Sequence, residues 1–177
     1  NKSVIYRRSS LAISEQKRFH GAVIFEILVE AESQCPHLSL RLRSGEGRSA
    51  YYLDVVRDRM FAKGKVVTFG LYIKTSRNRR SPWAYTFARA HQEEIEVMKN
   101  TCRDVFIAFV NNDDGVACIS YSELKELLDE KFEETEWITV KRGAGERYRL
   151  SGHDGDLRKP LASSWFPSNI IDYLKSI

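Results

Sequence analysis

Apolar side chains recur every three or four positions early in the chain, at Phe19, Val23 and Ile27, with Ile24 and Leu28 beside them. That spacing lines one face of an α-helix. It predicts a helix over residues 15–31, with Ser14 placed to cap the first turn. Cys35-Pro36 ends it, because proline has no N–H to continue the helical ladder. The period then shortens to two. LSLRLR (38–43) alternates leucine with polar side chains, the mark of a half-buried strand. Gly45-Glu46-Gly47 turns the chain into a second strand (50–55). A loop reading AKGK (62–65) leads to a third, VVTFGLYIKT (66–75), rich in β-branched and aromatic residues. After Pro82 the alternation resumes with Trp83, Tyr85 and Phe87.

A second helix is predicted over 88–100, with Ala88, His91 or Gln92, Ile95 and Met98 along one stripe. DVFIAFV (104–110) is apolar throughout, as expected of a strand buried on both faces. NNDDG (111–115) turns into a short strand over 116–120. Ser122 is placed to cap a helix over 123–132, with Leu124, Leu127 and Leu128 facing inward. Residues 137–140 and 147–150, flanking Gly143-Ala144-Gly145, read as a hairpin, and 166–174 as a closing short helix. Together these predict an α/β fold, a mixed central β-sheet flanked by helices. We read 1–177 as a single domain, with a core over about 14–110 and an extension over about 111–177 that holds the hairpin and the short helix.

Composition changes this picture little. Of the 177 residues 42% are hydrophobic and 29% charged, which suits a globular domain. No stretch approaches the ~20 uninterrupted apolar residues of a membrane-spanning helix, so no membrane is expected. GAVIFEILV (21–29), broken by Glu26, reads as a core element and not a secretion signal. Cys35, Cys102 and Cys118 are odd in number and widely spaced, which argues against a disulfide framework or a cysteine zinc site and fits a reducing cytoplasm. His20, His37, His91 and His153 show no HExxH or HxH spacing and read as structural or solvated. Asp154-Gly155-Asp156 beside His153 reads as a solvated loop, and NNDDG lacks the alternating ligands and closing glutamate of a calcium loop. The net charge of +4 names no partner, but its distribution is uneven. Lys74, Arg77, Arg79 and Arg80 crowd one segment while 123–136 is acidic, an asymmetry that steers a polyanion to one side.

Lys74 closes the third predicted strand, Asp54 lies upstream on the preceding one, and Gln92 sits on the following helix. This order of helix, strand meander, helix and buried strand resembles the core of the PD-(D/E)xK nuclease superfamily, over roughly residues 14–110. The resemblance implies a restriction-endonuclease-like fold in which Lys74 is the motif lysine. Asp54 would then be an acid and metal ligand, and Glu26 or Glu30 of the first helix, or Asp58, a contributing acid. In such a site carboxylates hold a magnesium ion that polarises the scissile phosphate and activates water, and the lysine stabilises the developing charge. The acid position two before the lysine holds Tyr72, and a phenol of pKa near 10 is a poor magnesium ligand.

The segment after Lys74 carries the binding expectation. Arg77, Arg79 and Arg80, with Lys74 and the hydroxyls of Thr75 and Ser76, suit phosphate oxygens, and Pro82 stiffens the turn that presents them. Trp83 offers a stacking face for a base, while Trp83, Tyr85 and Phe87 on one face of a strand equally suit a core. The expectation is a cytoplasmic protein of bacterial type that binds nucleic acid, DNA or RNA, through a nuclease-like fold. It is either a magnesium-dependent phosphodiesterase or a degenerate, inactive relative. The alternative is a non-catalytic protein-interaction or scaffold module whose acidic helix and basic turn meet other proteins or a second copy of the chain, making a homo-oligomer.

Overall fold

A computed structural model describes residues 13–57, 66–129, 131 and 135–177. Helix α1 (Glu15–Gln34) precedes strands β1 (Leu38–Ser44), β2 (Ala50–Arg57), β3 (Val66–Thr75) and β4 (Trp83–Phe87). Helix α2 (Arg89–Thr101), β5 (Asp104–Val110) and β6 (Val116–Ser120) follow, with a single 3₁₀ turn (Asn112–Asp114) between the two strands. The chain closes with α3 (Tyr121–Leu127), β7 (Glu136–Lys141), β8 (Arg149–Gly152) and α4 (Trp165–Ser176). Asp58 and the AKGK loop lie outside the described residues. None of the described helices is long and apolar enough to cross a membrane.

The caps follow the local chemistry. Ser14 accepts a hydrogen bond from the Lys17 N–H at 3.2 Å and starts α1 as expected. In α3 the cap is Ser120, two residues before the expected Ser122. Its hydroxyl accepts from the Glu123 N–H while the Glu123 carboxylate accepts from the Ser120 N–H at 2.8 Å. This reciprocal pair satisfies two donors of the first turn at once, an advantage that Ser122 lacks. The helix ends at Leu127, and the expected end at 132 lies outside the described residues. Leu124, Leu127 and Leu128 are buried as read.

Five strands form one mixed sheet in the order β1-β2-β3-β5-β6. Only the β3–β5 pair is parallel, and α2 makes the crossover that such a pair needs. Side chains alternate across this sheet and build two cores. Phe69, Leu71 and Ile73 of β3, with Phe106, Ala108 and Val110 of β5, pack against α1 and α4. Tyr72, with Val105, Ile107 and Phe109, faces α2, α3 and the second sheet. Strand β5 is thus apolar on both faces because both faces are covered.

The second sheet, β4-β7-β8, departs from the expectation of a C-terminal extension. The hairpin is no appendage: β7 pairs antiparallel with β4, and together they roof the core over the α2 side. Trp83, Tyr85 and Phe87 point inward and Ala84 and Thr86 outward. Tyr85 closes the core end, its hydroxyl 2.9 Å from the Val110 carbonyl and 2.6 Å from the Asn111 amide oxygen. Tyr85→Phe removes the hydroxyl that these two acceptors share, leaving the Val110 carbonyl with the Ser76 N–H at 3.5 Å, and is expected to cost about 1–3 kcal/mol. Equilibrium urea unfolding checks this, and an unchanged midpoint refutes it. The three cysteines are free, and burial pushes the Cys118 thiol up to about 12, where it is an inert core group.

Candidate nucleic-acid interface and the Lys74 end of the sheet

Beyond β3 the chain turns through residues 76–82 into β4. The turn is held from within. The Asn78 N–H donates to the Ser76 hydroxyl at 3.2 Å and the Asn78 amide to the Pro82 carbonyl at 2.8 Å. Asn112, in the left-handed region at φ 52°, donates its amide to the carbonyls of Ser76 and Asn78 at 3.2 and 2.6 Å. Asparagine tolerates that conformation better than most side chains. Arg77, Arg79 and Arg80 project from this frame, all exposed, and none is in an ion pair among the described residues.

Sheet register adds two cations that the sequence reading missed. Trp83 pairs with Val140, and the Arg142 N–H donates to the Ser81 hydroxyl at 3.0 Å, which sets the end of β7 against the arginine turn. Lys141 and Arg149, both exposed, are direct partners across β7 and β8. Like charges placed directly opposite destabilise a strand pair. Period-two alternation in the hairpin gives their outward orientation. Only the pairing of β4 with β7 brings them to Arg77, Arg79 and Arg80.

Trp83 is not part of this surface. It is 2% exposed and packs edge-on against Tyr148 at 6.4 Å between ring centroids, so it presents no face to a base. Of the two roles its spacing allowed, the structure shows the core one.

Lys74 turns inward, away from the arginines. Its ammonium donates to the Thr86 carbonyl at 2.6 Å, lies 3.3 Å from His91 Nδ1, and sits 4.9 Å from the centre of the Phe87 ring. His91 Nδ1 also accepts from the Ala88 N–H at 3.2 Å, which makes that nitrogen an acceptor and places the proton of the neutral ring on Nε2. Burial, then the Lys74 charge, lowers the His91 pKa. Lys74 therefore straps β3 to the start of α2, where the N-cap residue is an alanine without a capping side chain. Burial lowers the Lys74 pKa from 10.5 to about 8, partly opposed by the charge of Glu94. Between those values the unfolded chain holds a proton that the folded chain has released, so stability from this group rises with pH across that window. An NMR titration of lysine methylene carbons is expected to show Lys74 titrating near pH 8, well below the 10.5 of a free lysine. Titration of Lys74 at that free value contradicts the buried setting.

The acids expected beside Lys74 lie elsewhere. Asp54 pairs across the sheet with Thr68, six residues before Lys74. At about 3.3 Å per residue that is about 20 Å away. Asp54 is already engaged, by Arg43 through Nε at 2.7 Å and Nη2 at 2.9 Å and by the Thr68 hydroxyl at 2.8 Å. The Arg43 guanidinium holds its carboxyl below the usual range against the cost of burial, and the Thr68 hydroxyl adds a smaller push the same way. Glu26 is exposed on α1, which covers the opposite face of the sheet from Lys74. Opposite Tyr72 stands Ala50.

The carboxylate that does act on Lys74 is Glu94 of α2, and it accepts from the Gly47 N–H at 3.0 Å. Neither Asp54 nor Glu94 joins a group of three metal-binding side chains among the described residues. The residues around Lys74 do not fit a magnesium ion that needs converging carboxylates. A groove of about 740 Å³ lies between the turn after β1 and α2, but Glu46, Glu93 and Glu94 line it against Arg43 alone, a lining that repels phosphate.

Compared with protein-family models, with curated proteins and with solved structures, the chain matches none of them.

Proposed function

We propose that the chain is a nucleic-acid-binding protein of restriction-endonuclease-like topology, a degenerate relative that grips the phosphate backbone without cutting it. The carrying observation is the basic end of the second sheet: Arg77, Arg79 and Arg80 on a braced turn, with Lys141 and Arg149 alongside. Guanidinium groups grip phosphate oxygens in two-point fashion, and a fixed backbone spares them part of the ordering cost. The element order of helix, three-strand meander, helix and a parallel strand supports the topology. Cleavage is left out because Asp54 is about 20 Å from Lys74 by strand rise. Lys74 itself is committed to Thr86.

The test is fluorescence anisotropy with labelled duplex DNA, single-stranded DNA and RNA, each titrated with salt and each with magnesium or manganese added. Binding is expected to weaken linearly in log–log form, at about 0.9 per duplex phosphate neutralised, with all substrates left intact. Binding indifferent to salt, or none, removes this reading in favour of the protein-interaction alternative. Cleavage lost with Lys74→Ala restores the phosphodiesterase.

A further inference from the structure

Glu136 opens β7 and is 2% exposed, yet neither oxygen of its carboxylate has a hydrogen-bond partner. The Gln92 amide, which donates to the Phe87 carbonyl at 3.1 Å, and the Asp154 carboxylate both lie close to it. A buried carboxylate left so is costly, and proteins compensate it with a hydrogen-bonded partner charge or a metal ion.

The β7–β8 register shows what faces it. Ile138 pairs with Gly152, and the same register carried past the end of β8 sets Trp137 beside His153 and Glu136 beside Asp154. The Trp137 and His153 rings do meet, 6.4 Å apart between centroids. Glu136, His153 and Asp154 each offer one ligand atom, and the three atoms lie within 4.8 Å of one another. The loop that carries two of them is fixed. The Asp154 N–H donates to the Leu127 carbonyl at 3.0 Å, and one Asp154 oxygen accepts from the Asp129 N–H at 2.9 Å. Such bonds orient a ligating carboxylate and leave its other oxygen free to bind.

We propose that Glu136, His153 and Asp154 bind a divalent transition-metal ion, zinc in preference to manganese or magnesium, clipping the start of β7 to the loop after β8. One imidazole nitrogen with two carboxylates suits zinc, whereas magnesium favours an octahedron of six oxygen ligands. His153 and Asp154 are exposed, so water can complete the tetrahedron from the solvent side. The solvated-loop reading of His153 and Asp154 gives way here, because the sequence did not show that a buried Glu136 stands across from them. This proposal is independent of the nucleic-acid reading.

The test uses tag-free chain stripped with chelator, titrated calorimetrically with zinc, manganese and magnesium chlorides, and followed by thermal unfolding. Zinc is expected to saturate at one ion per chain and to raise the melting temperature, with manganese weaker and millimolar magnesium without effect. Glu136→Gln and His153→Ala are each expected to weaken zinc at least about tenfold. Glu136→Gln removes the uncompensated charge, so its metal-free melting temperature should equal or exceed wild type, which separates lost binding from lost folding. Absence of stoichiometric zinc binding, or zinc affinity unchanged in both variants, overturns the site.

Discussion

Alanine at Arg77, Arg79 and Arg80 together is expected to abolish most nucleic-acid affinity while leaving the fold intact. All three side chains are exposed, and the turn beneath them is held by Asn78 and Asn112, so their removal withdraws charge without withdrawing structure. Each duplex phosphate they neutralise contributes about 0.9 to the salt slope. Loss of three contacts should flatten that slope by nearly three and lower affinity at 0.1 M salt by about two to three orders of magnitude. Lys141→Ala with Arg149→Ala should add a smaller loss. It should also relieve the like-charge pairing across β7 and β8, so a slight gain in stability accompanies weaker binding. Matching isotherms and salt slopes for the triple variant and wild type would place the interface elsewhere. A triple variant that loses its thermal transition would instead show that the turn needs its arginines to fold, against the bracing described.

Why the basic corner was legible and the acid–lysine site was not comes down to the range of the forces involved. Local patterns fixed the elements. The stripe of Val23 and Ile27, the alternation of LSLRLR and the two-faced apolar run at 104–110 each report burial within a few residues, and each became the expected helix or strand. A turn rich in arginine is also local, and it stayed exposed. Register is not local. Asp54 and Lys74 lie on neighbouring strands and on the same face of the sheet, so the sequence made them look like partners. The pairing of Ala50 with Tyr72 slides them to opposite ends of β3. Glu26 failed for a related reason: which face α1 covers depends on Phe69, Leu71 and Ile73 turning toward it, while Lys74 turns the other way. The second sheet was hidden because nothing in Trp83-Ala84-Tyr85-Thr86-Phe87 says that its partner lies some fifty residues on, at Glu136 to Val140. Three signals were present and lacked only their strand pairing: Lys141, Arg149 and Glu136, the last acid of the run 123–136.

The largest effect on stability is expected from a single methyl group at Gly152. A Cβ there would lie 2.1 Å from the Leu127 carbonyl oxygen and 2.6 Å from both the Leu127 carbonyl carbon and Cβ. These are mostly backbone atoms at the end of α3, so no side-chain rotation relieves the clash. Either β8 or the last turn of α3 must move. Movement of α3 draws Leu124, Leu127 and Leu128 from the core and breaks the Asp154 bonds to Leu127 and Asp129. Overpacking alone costs about 1–3 kcal/mol, and the lost burial adds to it, so Gly152→Ala should destabilise by about 3 kcal/mol or more. For a chain of this size that is a fall of about 6–12 °C in melting temperature. Gly21→Ala supplies the opposite sign. Gly21 lies within α1, where an added Cβ meets nothing within 4 Å, so the change only restricts the unfolded chain and favours the helix, by about 0.5–1 kcal/mol. A Gly152→Ala variant as stable as wild type would show that β8 does not rest on α3. The fixed loop that presents His153 and Asp154 to Glu136 would then lose its support, because Gly152 is the point where that loop is seated.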